Sequence, residues 1–154
     1  MADDYTVDQQ HLEKAIALAV AGDQAAAITA LQPIWTRSDG HMFKLWQALA
    51  ETAIWPLRHQ PPGGPRFGLA VFAPYAGTDT DDLPPAVRLA LRFLAAQAQH
   101  DRDTLEALFR APLLARDSLV MAETMVILLD AAAESARAQQ ARTAVRRGTF
   151  GNGQ

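Results

Sequence analysis

The sequence contains no cysteine, which excludes disulfides, thiolate metal sites and cysteine nucleophiles. Histidine is scarce, and His11, His41, His59 and His100 include no pair at the i,i+4 spacing of a helical metal site. No serine lies in a Gly-x-Ser-x-Gly element, and no glycine lies in a phosphate-binding loop. We therefore expect a protein that is not an enzyme and that holds no metal ion or other cofactor.

Long apolar runs are also missing, because charged residues interrupt each one before it reaches about 18 residues. The first residues are acidic and polar, without the basic stretch that begins a signal peptide. The net charge is −3, so the composition gives no general attraction to nucleic acid or to an anionic membrane. These features predict a soluble, cytoplasmic protein that does not contact membranes.

The C-terminal region is the basic exception, because no acid follows Glu134. Arg142, Arg146 and Arg147 could contact nucleic acid, but a few phosphate contacts alone bind weakly and lose affinity with salt. The favoured interpretation is a charged helix end whose cations suit the helix dipole. Nucleic acid is therefore an unlikely partner.

What the sequence does have is apolar residues at helical spacing. Hydrophobic residues make up 49% of the 154, enough for one domain with a real core. Six helical segments emerge, each starting near a capping residue or a proline. We predict a single helical domain over residues 1–147 and a flexible tail over residues 148–154. We expect Pro33 to end or bend its helix near Leu31 or Gln32, the third helix to stop at Pro56, and Pro112 to break its helix.

Residues 31–53 recur, weakly but in register, 79 residues later. The matched pairs are Pro33 with Pro112, Arg37 with Arg116, Leu49 with Leu128, and Ala53 with Ala132. An internal duplication accounts for this pattern, with units at about 6–56 and 84–136. We therefore predict an all-α fold, a six-helix bundle or short αα array built from two three-helix units. The last helix, which is apolar over more than half its circumference, should lie near the centre.

The connection between the units, residues 57–84, is rich in proline and glycine. Its middle part, residues 67–73, reads as either a short strand or an extended segment laid across the helices. Both interpretations stay open at this point.

Tryptophan is confined to the first unit, where it either packs the core or anchors a partner. Our first hypothesis is a non-enzymatic protein–protein interaction module, either an adaptor or a self-associating subunit. Its partner would be another protein or a second copy. The predicted interaction surface consists of Trp46, Trp55, Phe67, Phe72 and Tyr75.

The alternative hypothesis is a small-molecule-binding or catalytic helical domain with a cleft under the 57–84 loop. The polar groups available there are Arg58, His59, Arg66, Asp79 and Asp81. A second acidic set, Glu123, Asp130 and Glu134, shares one face of the last helix, where we expect a solvated polar stripe.

Overall fold

The computed structural model describes residues 2–59 and 70–151, and this part of the chain is helical, without a strand. The all-α prediction is therefore confirmed. The α-helices are α1 (Ala2–Val20), α2 (Gln24–Trp35), α3 (Asp39–Arg58), α4 (Pro85–Ala98), α5 (Arg102–Leu114) and α6 (Ser118–Gly151). Two short 3₁₀ segments, Ala70–Tyr75 and Thr80–Asp82, lie between α3 and α4.

In each three-helix unit, the same kind of turn joins the first helix to the second. After α1, the Asp23 N–H donates to the Leu18 carbonyl at 3.0 Å, and after α4 the Asp101 N–H donates to the Ala96 carbonyl at 3.0 Å. Each bond closes a six-residue turn of the kind that ends a helix in a left-handed residue. The left-handed residue is Gly22 in the first unit, where only glycine avoids strain, whereas the second unit has a histidine there.

The aspartates of these turns then cap the following helices. Asp23 accepts a hydrogen bond from the Ala26 N–H, and Asp101 accepts one from the Thr104 N–H. Such side chains satisfy backbone donors that the first turn of a helix leaves unpaired. Asp23 and Asp101 are 78 residues apart, so α1 aligns with α4 at that offset. Helix α5 is one residue longer than α2.

The three prolines do not end their helices, so that prediction was wrong. Pro33, Pro56 and Pro112 each lie two residues before the end of a helix, inside α2, α3 and α5. At this position a proline removes one hydrogen bond from the last turn only. The turn after Pro33 still closes, because the Thr36 N–H donates to the Gln32 carbonyl at 3.1 Å.

The core is centred on α3 and α6, which pack along each other, while α1 packs on α6 and α4 on α3. The prediction that the last helix is central is confirmed. Leu49 and Ala53 of α3, and their repeat partners Leu128 and Ala132 of α6, are all buried. The alanines let the backbones approach closely, so that the buried Ser135 hydroxyl donates to the Ala53 carbonyl at 2.6 Å.

An aromatic cluster joins α3 to α4 and α5. Trp46 meets Phe93 edge-on at a centroid distance of 5.6 Å, and Phe109 edge-on at 5.0 Å. Phe43 touches the same two rings. Edge-to-face pairs of this kind add about 0.5–1.5 kcal/mol to the burial of the rings.

The last helix extends farther than the sequence indicated. α6 continues to Gly151 instead of ending before Gly148, and residues 140–148 are exposed. Residues 152–154 of the predicted tail lie outside the described part, and the mobility of the tail stays a prediction. Within the described ranges, no helix is both long enough and apolar enough to cross a bilayer.

Candidate functional site

Trp46 does not belong to a surface, so its inclusion in the predicted interaction surface was wrong. Its side chain is fully buried in the aromatic cluster. The indole Nε1–H has no acceptor among the described residues, although most buried indole donors have one. Trp46 is therefore a core residue held by ring contacts and by exclusion of water.

Trp55 is on the opposite side of the same helix. Nine residues are two and a half turns of an α-helix, which places the two indoles on opposite faces. Trp55 is 47% exposed, and its ring stacks on His59 with a centroid distance of 3.8 Å. It stays a candidate contact residue.

Phe72 and Tyr75 lie in the first 3₁₀ segment, and both are half-buried. Of the two interpretations of residues 67–73, the strand does not hold over residues 70–73, because the backbone there is a 3₁₀ helix. Phe67 and residues 67–69 lie outside the described residues. Phe72 packs against the core, so the segment is partly structural. Glu134 of α6 holds it by accepting the Ala70 N–H at 2.5 Å and the Val71 N–H at 3.2 Å.

Among the polar groups of the alternative hypothesis, Arg58 and His59 form contacts within the fold. Arg58 donates to Glu51 Oε2 at 3.1 Å and to the Gln97 carbonyl at 2.5 Å, and it contacts His100 Nε2 at 2.5 Å. These contacts tie the end of α3 to the end of α4. Asp79, just before the second 3₁₀ segment, and Asp81, within it, are exposed, and Arg66 lies outside the described residues.

The acidic face of α6 is not a simple solvated stripe. Besides the role of Glu134, Asp130 accepts a hydrogen bond from Gln24 Nε2 of α2 at 2.6 Å. Partial burial raises the pKa of Asp130, while the Gln24 hydrogen bond and the nearby Arg137 charge act in the opposite direction. Arg137 donates to the Val20 and Ala19 carbonyls at 3.0 and 2.7 Å, which satisfies the end of α1. These contacts tie α6 to α1, to α2 and to the first 3₁₀ segment, and of the three acids only Glu123 is exposed.

An open groove of about 540 Å³ runs between α4, α5 and the start of α6. We call it the second-unit groove. Its apolar lining consists of Pro85, Leu89, Ala107, Leu108, Ala111, Pro112 and Val120. Its polar lining consists of Arg88, Arg92, Asp103, Thr104 and Asp117. The leucines and the valine are half-buried, so part of their apolar surface faces the groove.

The charges of this groove are unevenly compensated. Arg88 and Arg92 are one turn apart on α4, and neither forms an ion pair within the described residues. Asp103 lies in the first turn of α5, where negative charge suits the helix dipole. Asp117 accepts the Val120 N–H at 3.2 Å at the start of α6. The two aspartates thus stabilise the starts of α5 and α6, whereas the two arginines stabilise no helix end.

The first unit offers an internal comparison. At the 78-residue offset, Arg88, Leu89 and Arg92 correspond to Gln10, His11 and Lys14. The counterpart of Leu89 is His11, which is not an apolar residue. Of the two arginines, only Arg92 has a lysine as its counterpart. The apolar and doubly cationic character therefore belongs to the second unit.

Two exposed leucines lie at the turn that follows α5. Leu114, the last residue of α5, is 79% exposed, and Leu119, the second residue of α6, is 67% exposed. These exposed leucines add apolar surface to the second unit outside the lining of the groove.

A different groove between α3 and α5 has a volume of about 380 Å³. Phe43 and Phe109 form its base, but its rim includes an Arg102–Glu106 ion pair of 3.2 Å. Because part of its charge is already satisfied, it is a weaker candidate than the second-unit groove.

Our sequence reasoning missed the second-unit groove. A signal was present, because two arginines i,i+4 apart flank an outward leucine on α4. The groove itself depends on how far α4 and α5 diverge, which no local pattern specifies.

Within the described ranges, no three metal-ligating side chains come together. No protein-family model, no curated protein and no solved structure matches this chain.

Proposed function

We propose that this protein is a non-enzymatic interaction module that binds another protein in the second-unit groove. The observation that supports this most is an apolar channel bordered by two arginines without ion-pair partners in the described chain. Apolar surface that stays open to water, rimmed by polar groups, is typical of a binding site.

The shape of the groove suits a helical ligand. Helices α4 and α5 form its two walls, and such clefts commonly take a third helix with its apolar face inward. Leu89 and Leu108 would contact this face, and Leu114 and Leu119 would extend the contact at one end. This proposal moves the contact surface to the second unit, away from the first unit and the 57–84 connection, where we predicted it.

The test blocks the groove without disturbing the core. Ala107 lines the groove and is exposed, so Ala107→Tyr should fill the channel at little cost in stability. Ala25→Tyr, at an exposed alanine of α2, is the matched control. Proteins captured from cell extract by each purified variant are identified by quantitative mass spectrometry. The partner is then purified and titrated calorimetrically.

We expect a partner that binds the unmodified protein and Ala25→Tyr alike and binds Ala107→Tyr at least tenfold more weakly. Equal affinity for all three proteins would show that the groove is not the docking site. A failure to capture any protein above background would count against the interaction module as a whole.

The small-molecule alternative is tested separately. Two buried polar atoms near the 57–84 loop, Arg58 Nε and Gln97 Oε1, lack partners among the described residues. A thermal-shift screen against metals, nucleotides and common metabolites should raise the melting temperature by a few degrees if this alternative is correct.

A further inference from the structure

We infer that the partner segment is an acidic amphipathic helix whose carboxylates face Arg88 and Arg92. This inference rests on the proposed function, because it specifies the occupant of the second-unit groove.

The two arginines are placed where an isolated helix would not favour them. Arg88 is the fourth residue of α4, close to the positive end of the helix dipole, where a cation is unfavourable. Arg92 is a like charge at i+4, which is also unfavourable. Carboxylates on a bound helix would offset both effects.

The acids across the groove do not supply this compensation. Asp103 and Asp117 line the opposite wall, and neither is within ion-pair distance of Arg88 or Arg92. The α4 wall is therefore basic and the α5–α6 wall acidic. A ligand helix would place its acidic residues against the α4 wall, and any basic residues against the α5–α6 wall.

The groove also limits the length of the ligand. Its α5 wall runs from Asp103 to Pro112, which spans about 14 Å at 1.5 Å per residue. A parallel or antiparallel helix therefore contacts it over about three turns, roughly 9–12 residues. The expected ligand has apolar residues at i, i+3 or i+4, and i+7, with Asp or Glu one turn apart on one flank.

The experiment uses a displayed library of helical peptides of about 15 residues. The apolar stripe is fixed, and both flanks are randomised among Glu, Lys, Gln and Ser. Binders are selected on the full-length protein and on Arg88→Glu/Arg92→Glu, and Ala107→Tyr serves for counter-selection. The double variant should fold, because neither Arg88 nor Arg92 is buried, and a carboxylate at position 88 suits the first turn of α4.

We expect the unmodified protein to enrich Glu on one flank and the double variant to enrich Lys at the same positions. The best Glu peptide should bind the double variant about tenfold more weakly, as expected for two exposed ion pairs. Its affinity for the unmodified protein should also fall as salt is added. Arg88→Gln/Arg92→Gln should give an intermediate affinity.

Flank preferences that are the same for both proteins would overturn the inference, and so would a selection that enriches no peptide. The two proposals fail in different ways. If Ala107→Tyr abolishes capture of the natural partner but the peptides show no charge preference, the groove binds a partner of another kind. If Ala107→Tyr leaves the natural partner bound, the proposed function itself is wrong.

Discussion

Replacing Trp46 by alanine should destabilise the fold severely, because this side chain joins three helices. It is fully buried, and it makes edge contacts with Phe93 and Phe109. Truncating a buried tryptophan removes its transfer free energy and leaves a cavity, at a cost of about 3–5 kcal/mol. A domain of this size is stable by about 5–15 kcal/mol, so the loss is a large share of the total.

The expected cost of Trp46→Phe is smaller for two reasons. Phenylalanine keeps a ring against the same neighbours, and it removes an indole N–H that has no acceptor in the described chain. A buried donor without a partner costs about 1–3 kcal/mol, which offsets part of the lost packing. We expect Trp46→Phe to cost at least 2 kcal/mol less than Trp46→Ala.

The assay is urea unfolding followed by circular dichroism, with Trp55→Ala as the matched control. Trp55 is largely exposed, so its removal should change the free energy of unfolding by about 0.5 kcal/mol or less. The urea dependence of that free energy should stay constant across the variants. Equal costs for Trp46→Ala and Trp55→Ala would refute the assignment of one indole to the core and the other to the surface.

Three further changes probe the contacts of α6. Burial raises the pKa of Asp130, so its ionised form is disfavoured in the folded state. Asp130→Asn should therefore be the more stable protein at neutral pH, and its advantage should shrink in thermal melts as the pH falls through that raised pKa. Ser135→Ala removes a buried hydroxyl that bonds the Ala53 carbonyl, and it should cost about 1 kcal/mol in urea unfolding. Arg137→Met should speed amide hydrogen exchange at the end of α1, whose last carbonyls it would leave unpaired; unchanged exchange would contradict that role.

Much of the fold could be predicted from the sequence because its signals are local. Capping residues and helical periodicity indicate six helices, and all of them are present. The repeat itself stays a prediction, and its matched residues Leu49 and Leu128 are both buried, on α3 and α6. Pro33 and Pro112 are equivalent along the chain but not in burial, since Pro33 is exposed and Pro112 is buried.

The errors came from rules that ignore position within an element. The effect of a proline on a helix depends on its distance from the end, and all three prolines lie where that effect is small. Trp46 and Trp55 are nine residues apart, a spacing that places them on opposite faces of one helix. The sequence therefore already indicated that the two indoles do not share one surface. The 3₁₀ segment from Ala70 could not be foreseen, because Glu134, 64 residues away, holds its first N–H.

The candidate site was the least predictable part. Arg88, Leu89 and Arg92 form a recognisable pattern on α4, but the opposite wall comes from α5 and α6. The groove forms where these helices come together in the fold, and their packing is not specified by any local pattern.

The central claim is that the last helix of the second unit, α6, packs against the first unit and joins the two. The absence of cysteine allows a direct test, because Gln24→Cys and Asp130→Cys introduce the only two thiols in the chain. These residues come from α2 and α6, and their side chains meet at 2.6 Å. A short bismaleimide should link them rapidly within one monomer, and much more slowly in urea. Linkage that is equally slow in both conditions, or that occurs only between molecules, would contradict the architecture.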